Sequence, residues 1–218
     1  MTAYTAALFD LDGTLLDTLD DLAAAANQVL EEHGLPVHPK EAYKYFVGDG
    51  LMTLIERIVP DDKRDPALLA RLADDFRQVY GKMWQVRSRP YPGIDDMLSR
   101  LADHGLRLAV LSNKPHTFTR LCVDNLLANH QFDLVLGQRD GVAKKPDPAG
   151  ALEVAAGLNI APADFLYLGD TAVDMETAKR AGMCAVGVLW GFREESELRQ
   201  AGADHILHSP MQVMELLS

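Results

Sequence analysis

Short apolar segments alternate with helical segments through the second half of the chain, and no other feature restricts the fold as strongly. Each apolar segment has the length of a buried strand, and helical spacing of apolar residues follows it. The predicted strands cover residues 106–111, 132–136, 165–168 and 185–189, with a short edge strand at 205–207. The predicted helices cover residues 118–127, 149–157, 175–181, 194–201 and 211–217. This alternation predicts a parallel sheet with helices on both faces.

The first predicted strand, residues 6–10, is separated from the others by a long helical stretch. Between about residue 20 and residue 84 we find three helical stripes and no strand. Their apolar positions are Leu22, Ala26, Val29 and Leu30; then Leu51, Leu54, Ile55 and Ile58; then Leu68, Leu69, Leu72, Phe76 and Val79. We therefore expect an α/β protein with a Rossmann-like, doubly wound parallel sheet as its core and an inserted α-helical cap. The expected core is residues 1–16 and 86–218, and the expected cap is residues 17–85.

The charge balance of the chain restricts its partners. The 218 residues carry a formal net charge of −11, a field that repels nucleic acid and anionic membranes, so we expect neither as a partner. An anionic substrate would need local positive charge from lysines, helix N-termini or a bound cation. The sequence has no signal segment and no apolar run long enough to span a bilayer, which favours a cytoplasmic protein. Either a monomer or a homodimer is compatible with the sequence.

Polar residues follow four of the predicted strands. They are Asp10 to Thr14, Ser112-Asn113-Lys114, Lys144-Lys145-Pro146, and Gly169 to Asp174. In open parallel sheets the working site lies outside the carboxyl ends of the strands. These four segments are therefore expected to meet at one edge, where they bring together carboxylates, a hydroxyl group and lysines.

The carboxylates in these segments suit a metal site and phosphoryl transfer. Asp10 and Asp12 lie close enough to repel each other unless a cation or a proton separates them. A hard ion such as Mg²⁺ takes oxygen ligands, and Asp170 could complete its site, with Asp174 one helical turn beyond. A carboxylate can also act as the nucleophile in phosphoryl transfer, and a second, protonated carboxyl can protonate the leaving alcohol.

The polar and basic residues can serve the same chemistry. Ser112 can donate a hydrogen bond to a phosphoryl oxygen, and Lys145 can offset charge on the transferring group. Each segment taken alone also has a structural explanation: a turn at Asp12-Gly13, a helix cap at Ser112, solvated lysines, or acid in the first turn of a helix. We prefer the functional interpretation because all four segments follow predicted strands on one edge.

The segment Phe9-Asp10-Leu11-Asp12-Gly13-Thr14-Leu15-Leu16-Asp17-Thr18 resembles the first motif of the haloacid dehalogenase-like (HAD) superfamily of phosphotransferases. Ser112-Asn113-Lys114 is similar to the second motif, Lys145-Pro146 to the third, and Gly169-Asp170 through Asp174 to the fourth. The resemblance covers the whole chain, and it implies that the helical insertion is the alpha-helical cap of that family.

The resemblance also implies a role for each matched residue. Asp10 would be the nucleophile and a metal ligand, and Asp12 the general acid/base that binds the metal through its backbone carbonyl. Ser112 and Lys145 would bind phosphate, with Asn113 close by. Asp170 would bind Mg²⁺, and Asp174 would support that site. Lys144 is the alternative to Lys145, which we prefer because it directly precedes the proline.

Several features look most like the phosphoglycolate phosphatases within this superfamily. They are Asp12, which dehalogenases, phosphonatases and ion-pumping ATPases lack, the Asp17-Thr18 continuation, the segment from Phe46 to Leu51, and Tyr91-Pro92-Gly93. The implied function is Mg²⁺-dependent hydrolysis of a small phosphorylated metabolite, with phosphoglycolate favoured, through an aspartyl-phosphate. The alternatives are a hexose-phosphate mutase of the same superfamily and a non-catalytic regulatory protein on this fold.

The cap is expected to select the substrate. The Gly48-Asp49-Gly50 loop between two predicted helices could reach the leaving group, because glycines allow close backbone approach, or could merely join the helices. Lys44 and Arg57 lie nearby in sequence. They are either solvated helix surface or cations that attract a second anionic group of the substrate.

Overall fold

The structure, a computed structural model, describes residues 4–217 and contains a six-stranded parallel sheet. The strands in chain order are β1 (Ala6–Phe9), β2 (Leu16–Asp17), β3 (Arg89–Pro90), β4 (Arg107–Pro115), β5 (Leu134–Gln138), β6 (Phe165–Gly169), β7 (Cys184–Val188) and β8 (His205–Leu207). The sheet has the order β5-β4-β1-β6-β7-β8, and β2 and β3 form a separate antiparallel ribbon. The predicted doubly wound parallel sheet is confirmed, with β8 at its edge.

Helices cover both faces of the sheet. They are α1 (Leu19–Glu32), α2 (Tyr43–Phe46), α3 (Leu51–Ile58), α4 (Pro66–Met83), α5 (Ile94–Asp103), α6 (His116–Leu126), α7 (Ala149–Leu158), α8 (Ala172–Ala181) and α9 (Glu195–Gln200). Apolar residues of α7, α8 and α9 form the core on one face, and those of α5 and α6 belong to the core on the other. The second core continues into α1, α3 and α4, so one apolar cluster joins the sheet to the helices that interrupt it.

Strand β1 lies at the centre of the sheet and fixes the position of the site. Ala6 pairs with Arg107 of β4 on one side and with Phe165 of β6 on the other. All four residues of β1 are buried, as expected for a short apolar strand covered on both faces. The segments that follow β4, β1 and β6 therefore leave the sheet side by side.

The helical insertion, residues 19–83, lies between the two strands of the β2–β3 ribbon. Its longest helix, α4, begins where the Asp65 carboxylate accepts hydrogen bonds from two free backbone N–H groups, and Pro66 occupies the first helical position. Helix α1 packs along α4. The structure supports the expectation of three long helical stripes here, and it has no strand between residues 20 and 84.

Several elements of the structure differ from the sequence-based expectation, among them the short helix α2, which was not predicted. Helix α5 was not predicted, although Ile94, Met97, Leu98 and Leu101 have helical spacing and are all buried. The β2–β3 ribbon was not predicted because two-residue strands have no periodicity. The closing helix is a 3₁₀ helix, Pro210–Leu216, that begins with a Ser209 capping box. Among the described residues, no helix has the length and apolar character needed to cross a membrane.

Candidate active site

Three aspartates meet at the carboxyl edge of the sheet. Asp10 follows β1, Asp170 follows the neighbouring strand β6, and Asp174 lies in the first turn of α8. One carboxylate oxygen from each lies within 4.8 Å of the others, and all three side chains are buried. The structure thus brings together the three aspartates that the sequence placed after two different strands.

The turn after β1 leaves space for Asp170 only because it contains glycine. Gly13 has φ +92°, and a Cβ atom there would lie 2.2 Å from Asp170 Oδ2. Gly191, which follows β7, leaves a similar space, since its Cβ would lie 2.4 Å from Asp170 Cβ. Thr14 Oγ1 donates to Asp170 Oδ1 at 3.1 Å, and the Phe192 N–H donates to Oδ2 at 2.8 Å. These contacts fix the Asp170 carboxylate toward Asp10.

Lys145 supplies positive charge beneath the aspartates. Its Nζ donates to Asp174 Oδ1 at 2.7 Å and to the Leu111 carbonyl at 3.1 Å, and it lies 2.8 Å from Asp10 Oδ1. Burial alone would lower the pKa of Lys145, but the carboxylates of Asp10 and Asp174 outweigh it and hold the pKa well above its ordinary value. Lys145 is therefore a buried ammonium ion shared by two carboxylates.

The carboxylates of this cluster are difficult to ionise together. Burial raises the pKa of Asp10 to about 7; the charges of Asp174 and Asp12 act in the same direction, and Lys145 opposes them. Burial, followed by the charges of Asp174 and Asp10, also raises the pKa of Asp170 well above its usual range. A divalent cation between Asp10 and Asp170 would favour their ionised forms.

The donor set fits a hard divalent cation. The ligand atoms are carboxylate oxygens, with no histidine or cysteine in the cluster among residues 4–217. Asp10 Oδ1 is buried, and among the described residues its contact is the ion pair with the Lys145 ammonium at 2.8 Å. This buried oxygen has the character of a ligand that is completed by a metal or by substrate.

Asp174 is held by protein groups on both of its oxygens. Oδ1 accepts from Lys145, and Oδ2 accepts from Thr171 Oγ1 at 2.8 Å and from the Thr171 N–H at 3.2 Å. The Thr171–Asp174 pair is also the capping box that begins α8. These contacts hold the Asp174 carboxylate in place, and its role beside a metal stays a prediction.

The Asp12 carboxylate points away from the other three aspartates and toward Lys114. Lys114 Nζ donates to both Asp12 oxygens at 3.0 Å and to the Tyr80 hydroxyl of α4 at 2.8 Å. Thr18 Oγ1 donates to Asp12 Oδ1 at 2.8 Å. Burial alone would lower the pKa of Lys114. Asp12 and Tyr80 raise it by more than burial lowers it, so the pKa of Lys114 lies above its ordinary value. Lys114 belongs to the second motif, but the sequence assigned it no role because its partner Tyr80 is distant in sequence.

Ser112 and Asn113 lie in the last residues of β4, where its pairing with β5 becomes irregular. Ser112 is buried and faces the cavity beside Asp10. The Asn113 amide donates to the carbonyls of Gly48 and Lys145 and accepts from the Lys145 N–H at 2.9 Å. These contacts give Asn113 a positioning function, and its phosphate-binding role stays a prediction.

The Gly48-Asp49-Gly50 loop is held against the sheet edge by an arrangement that we call the loop clasp. Three consecutive carbonyl oxygens accept from core residues: Val47 from Arg193 at 3.4 Å, Gly48 from Asn113 at 3.0 Å, and Asp49 from Lys144 at 2.7 Å. Arg193 also donates to the Lys44 carbonyl, and its guanidinium lies over the Tyr45 ring. The loop contacts the core, and its expected role in reaching the leaving group stays a prediction. Arg193 belongs to none of the motifs and was missed.

A cavity lies between the helical insertion and the sheet edge. Its empty volume is about 570 Å³, counting the part open to solvent. Polar residues at one side are Asp10, Asp12, Ser112, Asn113 and Lys114, and the glycines Gly48 and Gly50 also contribute. The opposite wall is apolar and comes largely from the insertion. A small molecule bound here would contact both the aspartates and the helices.

Neither of the two cap cations considered in the sequence lines this cavity. The Lys44 ammonium pairs with Glu41 at 2.8 Å, and the Arg57 guanidinium pairs with the Asp49 carboxylate at 2.6 Å. The solvated-surface interpretation therefore describes Lys44, which is half-buried and pairs with the exposed Glu41. Arg57 helps to hold the loop through the Tyr45 and Phe46 carbonyls.

The arrangement of buried aspartates, a shared lysine and a helical insertion agrees with comparisons against known proteins. A family model described as haloacid dehalogenase-like hydrolase matches residues 7–188. The chain belongs to the haloacid dehalogenase-like hydrolases. The phosphoglycolate phosphatases of Nitrosospira multiformis and Aquifex aeolicus are similar to this hydrolase. They are 34% and 33% identical to it over 97% and 96% of this chain and 95% of each relative.

Solved structures give the same result for the fold. A crystal structure from Lactobacillus delbrueckii subsp. bulgaricus superposes on this hydrolase with a TM-score of 0.92 and 30% identity, covering 99% of this chain and 98% of the other. Family membership and the phosphatase relatives identify this hydrolase as a phosphoric monoester hydrolase of the phosphoglycolate phosphatase-like branch. They favour an enzyme over the non-catalytic alternative considered from the sequence.

Proposed function

We propose that the protein is a Mg²⁺-dependent phosphatase that hydrolyses a small organic phosphomonoester, with phosphoglycolate as the favoured substrate. The observation that carries this proposal is the buried Asp10 carboxylate, which lines the cavity and lies next to the Asp170 carboxylate. A carboxylate in this position can act as a nucleophile, and Lys145, 2.8 Å from Asp10 Oδ1, can offset the charge of the transferring group. The names of the similar proteins support phosphoglycolate as the substrate.

The proposed reaction has two steps. In the first, an Asp10 oxygen attacks phosphorus, the bond from phosphorus to the alcohol oxygen breaks, and Asp12 gives its proton to the departing oxygen. In the second, Asp12 takes a proton from a water molecule that attacks the phosphorus of the aspartyl-phosphate. This releases inorganic phosphate and restores Asp10. Ser112 would donate a hydrogen bond to a phosphoryl oxygen.

The metal would be held by the carboxylates of Asp10 and Asp170 and by the backbone carbonyl of Asp12. It supplies positive charge that offsets the charge on the phosphoryl oxygens. Asp174 keeps its own oxygens on Lys145 and Thr171 and so would hold the site in place. We assign residues 1–16 and 86–218 to the catalytic core and residues 17–85 to a cap that covers it and excludes water.

The test compares wild type with Asp10→Asn on a panel of metabolite phosphate esters, with Mg²⁺ or with excess chelator. Wild type should hydrolyse phosphoglycolate with the highest kcat/KM in Mg²⁺ and lose activity in chelator. Asp10→Asn should be inactive and folded by circular dichroism, because a neutral amide is a poor nucleophile. Appreciable turnover by the folded variant would remove Asp10 from this role, and full activity in chelator would exclude the metal.

A further inference from the structure

The part of the cavity that faces the helical insertion contains almost no charge. Its apolar lining residues are Leu22, Val47, Leu51, Leu54, Phe76 and Phe118. The charged residues that line it, among those the structure describes, are Asp10, Asp12 and Lys114. Lys114 is thus the one cation available to the non-phosphate part of a substrate within the described chain, because Lys145 lies beneath the aspartates and does not line the cavity.

The Lys114 ammonium is placed beside the group that meets the leaving oxygen. Its Nζ lies 3.0 Å from both oxygens of Asp12, and its side chain is 5% exposed. Asp12 is the proposed proton donor to the departing alcohol. A substituent on the carbon next to that oxygen would therefore lie near the Lys114 ammonium.

The three donors of the Lys114 ammonium are all engaged in the structure, two with the Asp12 carboxylate and one with the Tyr80 hydroxyl. Asp12 Oδ1 has a second donor, Thr18 Oγ1, so the contact from Lys114 to Oδ2 is the one that the carboxylate can give up at least cost. A substrate carboxylate would therefore take the place of Asp12 Oδ2 at Lys114, while Tyr80 still holds the ammonium in place.

We propose that Lys114 selects the substrate by binding an anionic substituent, a carboxylate on the carbon next to the ester oxygen. This rests on the proposed phosphatase function and deepens it: the favoured class is the small 2-phosphooxy acid. The apolar wall of the insertion fits the short carbon skeleton and excludes the hydroxyl groups of a sugar, which would find no partners there. Charge selection then comes from the core strand β4, and size selection from the insertion.

The experiment measures kcat/KM of wild type and Lys114→Gln for two esters, phosphoglycolate and 2-hydroxyethyl phosphate. The second ester has a neutral alcohol in place of the carboxylate. The glutamine amide keeps a polar hydrogen-bond donor on a side chain of similar length but has no charge. We expect wild type to prefer the acidic ester, and Lys114→Gln to lose that preference by at least about tenfold, the scale of hydrogen bonds to a charged group.

Tyr80→Phe is the matched control, because it removes the hydroxyl partner and leaves the ammonium; its preference for the acidic ester should be kept. Equal losses for both esters in Lys114→Gln, with an unchanged ratio, would mean a structural role and would overturn the inference. An absence of acid preference in wild type would also overturn it. Failure of the proposed function gives a different result, namely no hydrolysis of either ester by wild type.

If Lys114→Gln does not fold, inhibition of wild type by glycolate and by ethylene glycol gives the answer instead. Inhibition by glycolate alone is expected, since only glycolate has the carboxylate. Equal inhibition by the two compounds, or none by glycolate, would contradict a carboxylate site at Lys114.

Discussion

Two adjacent lysines have entirely different surroundings. Lys145 is buried between Asp10 and Asp174, whereas Lys144 is exposed and donates to the Asp49 carbonyl and to Thr53 Oγ1 at 2.9 Å. Lys145 thus supplies charge to the aspartate cluster, whereas its neighbour Lys144 holds the Gly48-Asp49-Gly50 loop. The lysine that precedes the proline is the buried one, and its phosphate-binding role stays a prediction.

Substitution of each lysine by alanine should separate the two functions. Lys145→Ala is expected to lose at least about a hundredfold in kcat, the scale observed when one electrostatic stabiliser is removed. Lys144→Ala should lose much less, because it weakens only one bond of the loop clasp. Steady-state kinetics with thermal melting as a folding control provides the measurement. A larger loss for Lys144→Ala would reverse the assignment.

At this scale the sequence predicted residues within motifs and missed those outside them. Asp10, Asp170 and Asp174 could be placed together because parallel strands end at one edge. The Asp12–Lys114–Tyr80 contacts could not, because Tyr80 lies on a helix whose position against β4 depends on the packing of the whole insertion. Arg193 was missed because its contacts with the loop are to the carbonyls of Lys44 and Val47, which have no sequence signature.

Among the elements, the loop between α2 and α3 has the most specific geometry. Gly48 and Gly50 have φ values of +119° and +88°, where side chains are strained. A Cβ atom at Gly50 would lie 3.2 Å from the Asn113 carbonyl oxygen. The loop therefore lies close to the core at its glycines.

A valine at Gly50 should damage selection more than general catalysis. It would push the loop away from Asn113, and a misplacement of about 1 Å at an active site can cost about 100-fold in rate. We expect kcat/KM for phosphoglycolate to fall about tenfold or more relative to that for p-nitrophenyl phosphate. Gly34→Val is the matched control, since Gly34 has φ +66° with nothing within 4 Å of a Cβ. If both variants leave the ratio unchanged, the loop merely joins two helices.

The boundaries of helices and strands were predicted well where the apolar periodicity was strong. They were missed where the periodic segment was short or where tertiary and capping contacts lengthened the element. Strand β4 runs to Pro115 rather than ending at 111, because pairing with β5 resumes at Gln138 after an irregularity. Helix α8 begins at Ala172 because of the Thr171 capping box, three residues earlier than its apolar stripe suggested. Tertiary and capping contacts, rather than propensity, set these ends.

For the whole molecule, the aspartate cluster connects metal binding to stability. Asp10 and Asp170 follow adjacent strands, and the pKa of Asp10 is raised from 3.8 to about 7. When folding raises the pKa of an acid, the stability associated with that group is fully present at pH values below its pKa in the unfolded chain. This stability is lost as the pH rises toward the pKa of the group in the folded protein. The metal-free protein is therefore expected to lose stability between about pH 4 and pH 7 through this group.

Mg²⁺ should restore that stability mainly at higher pH, where the carboxylates must ionise. Replacing chelator by Mg²⁺ should raise Tm, and the increase should be larger at pH 8 than at pH 5. Each kcal/mol by which Mg²⁺ binding stabilises the folded protein corresponds to about 2–4 °C in Tm. Differential scanning fluorimetry measures it without reference to activity. Asp170→Asn should abolish the increase. Equal increases at both pH values, or an increase retained in that variant, would argue against a metal at this cluster.

The β2–β3 ribbon has a consequence for how such a molecule can change over evolutionary time. Asp17 pairs with Arg89, so the chain leaves the core and returns to it at neighbouring points. The segment between Asp17 and Arg89 is therefore a closed loop whose two ends are fixed at the core. The entropy of closing a loop grows only with the logarithm of its length, by about 0.6 kcal/mol for each doubling. A lineage could therefore exchange this insertion for one twice as long, and so acquire a different alcohol specificity, while inheriting the same aspartates in the same positions.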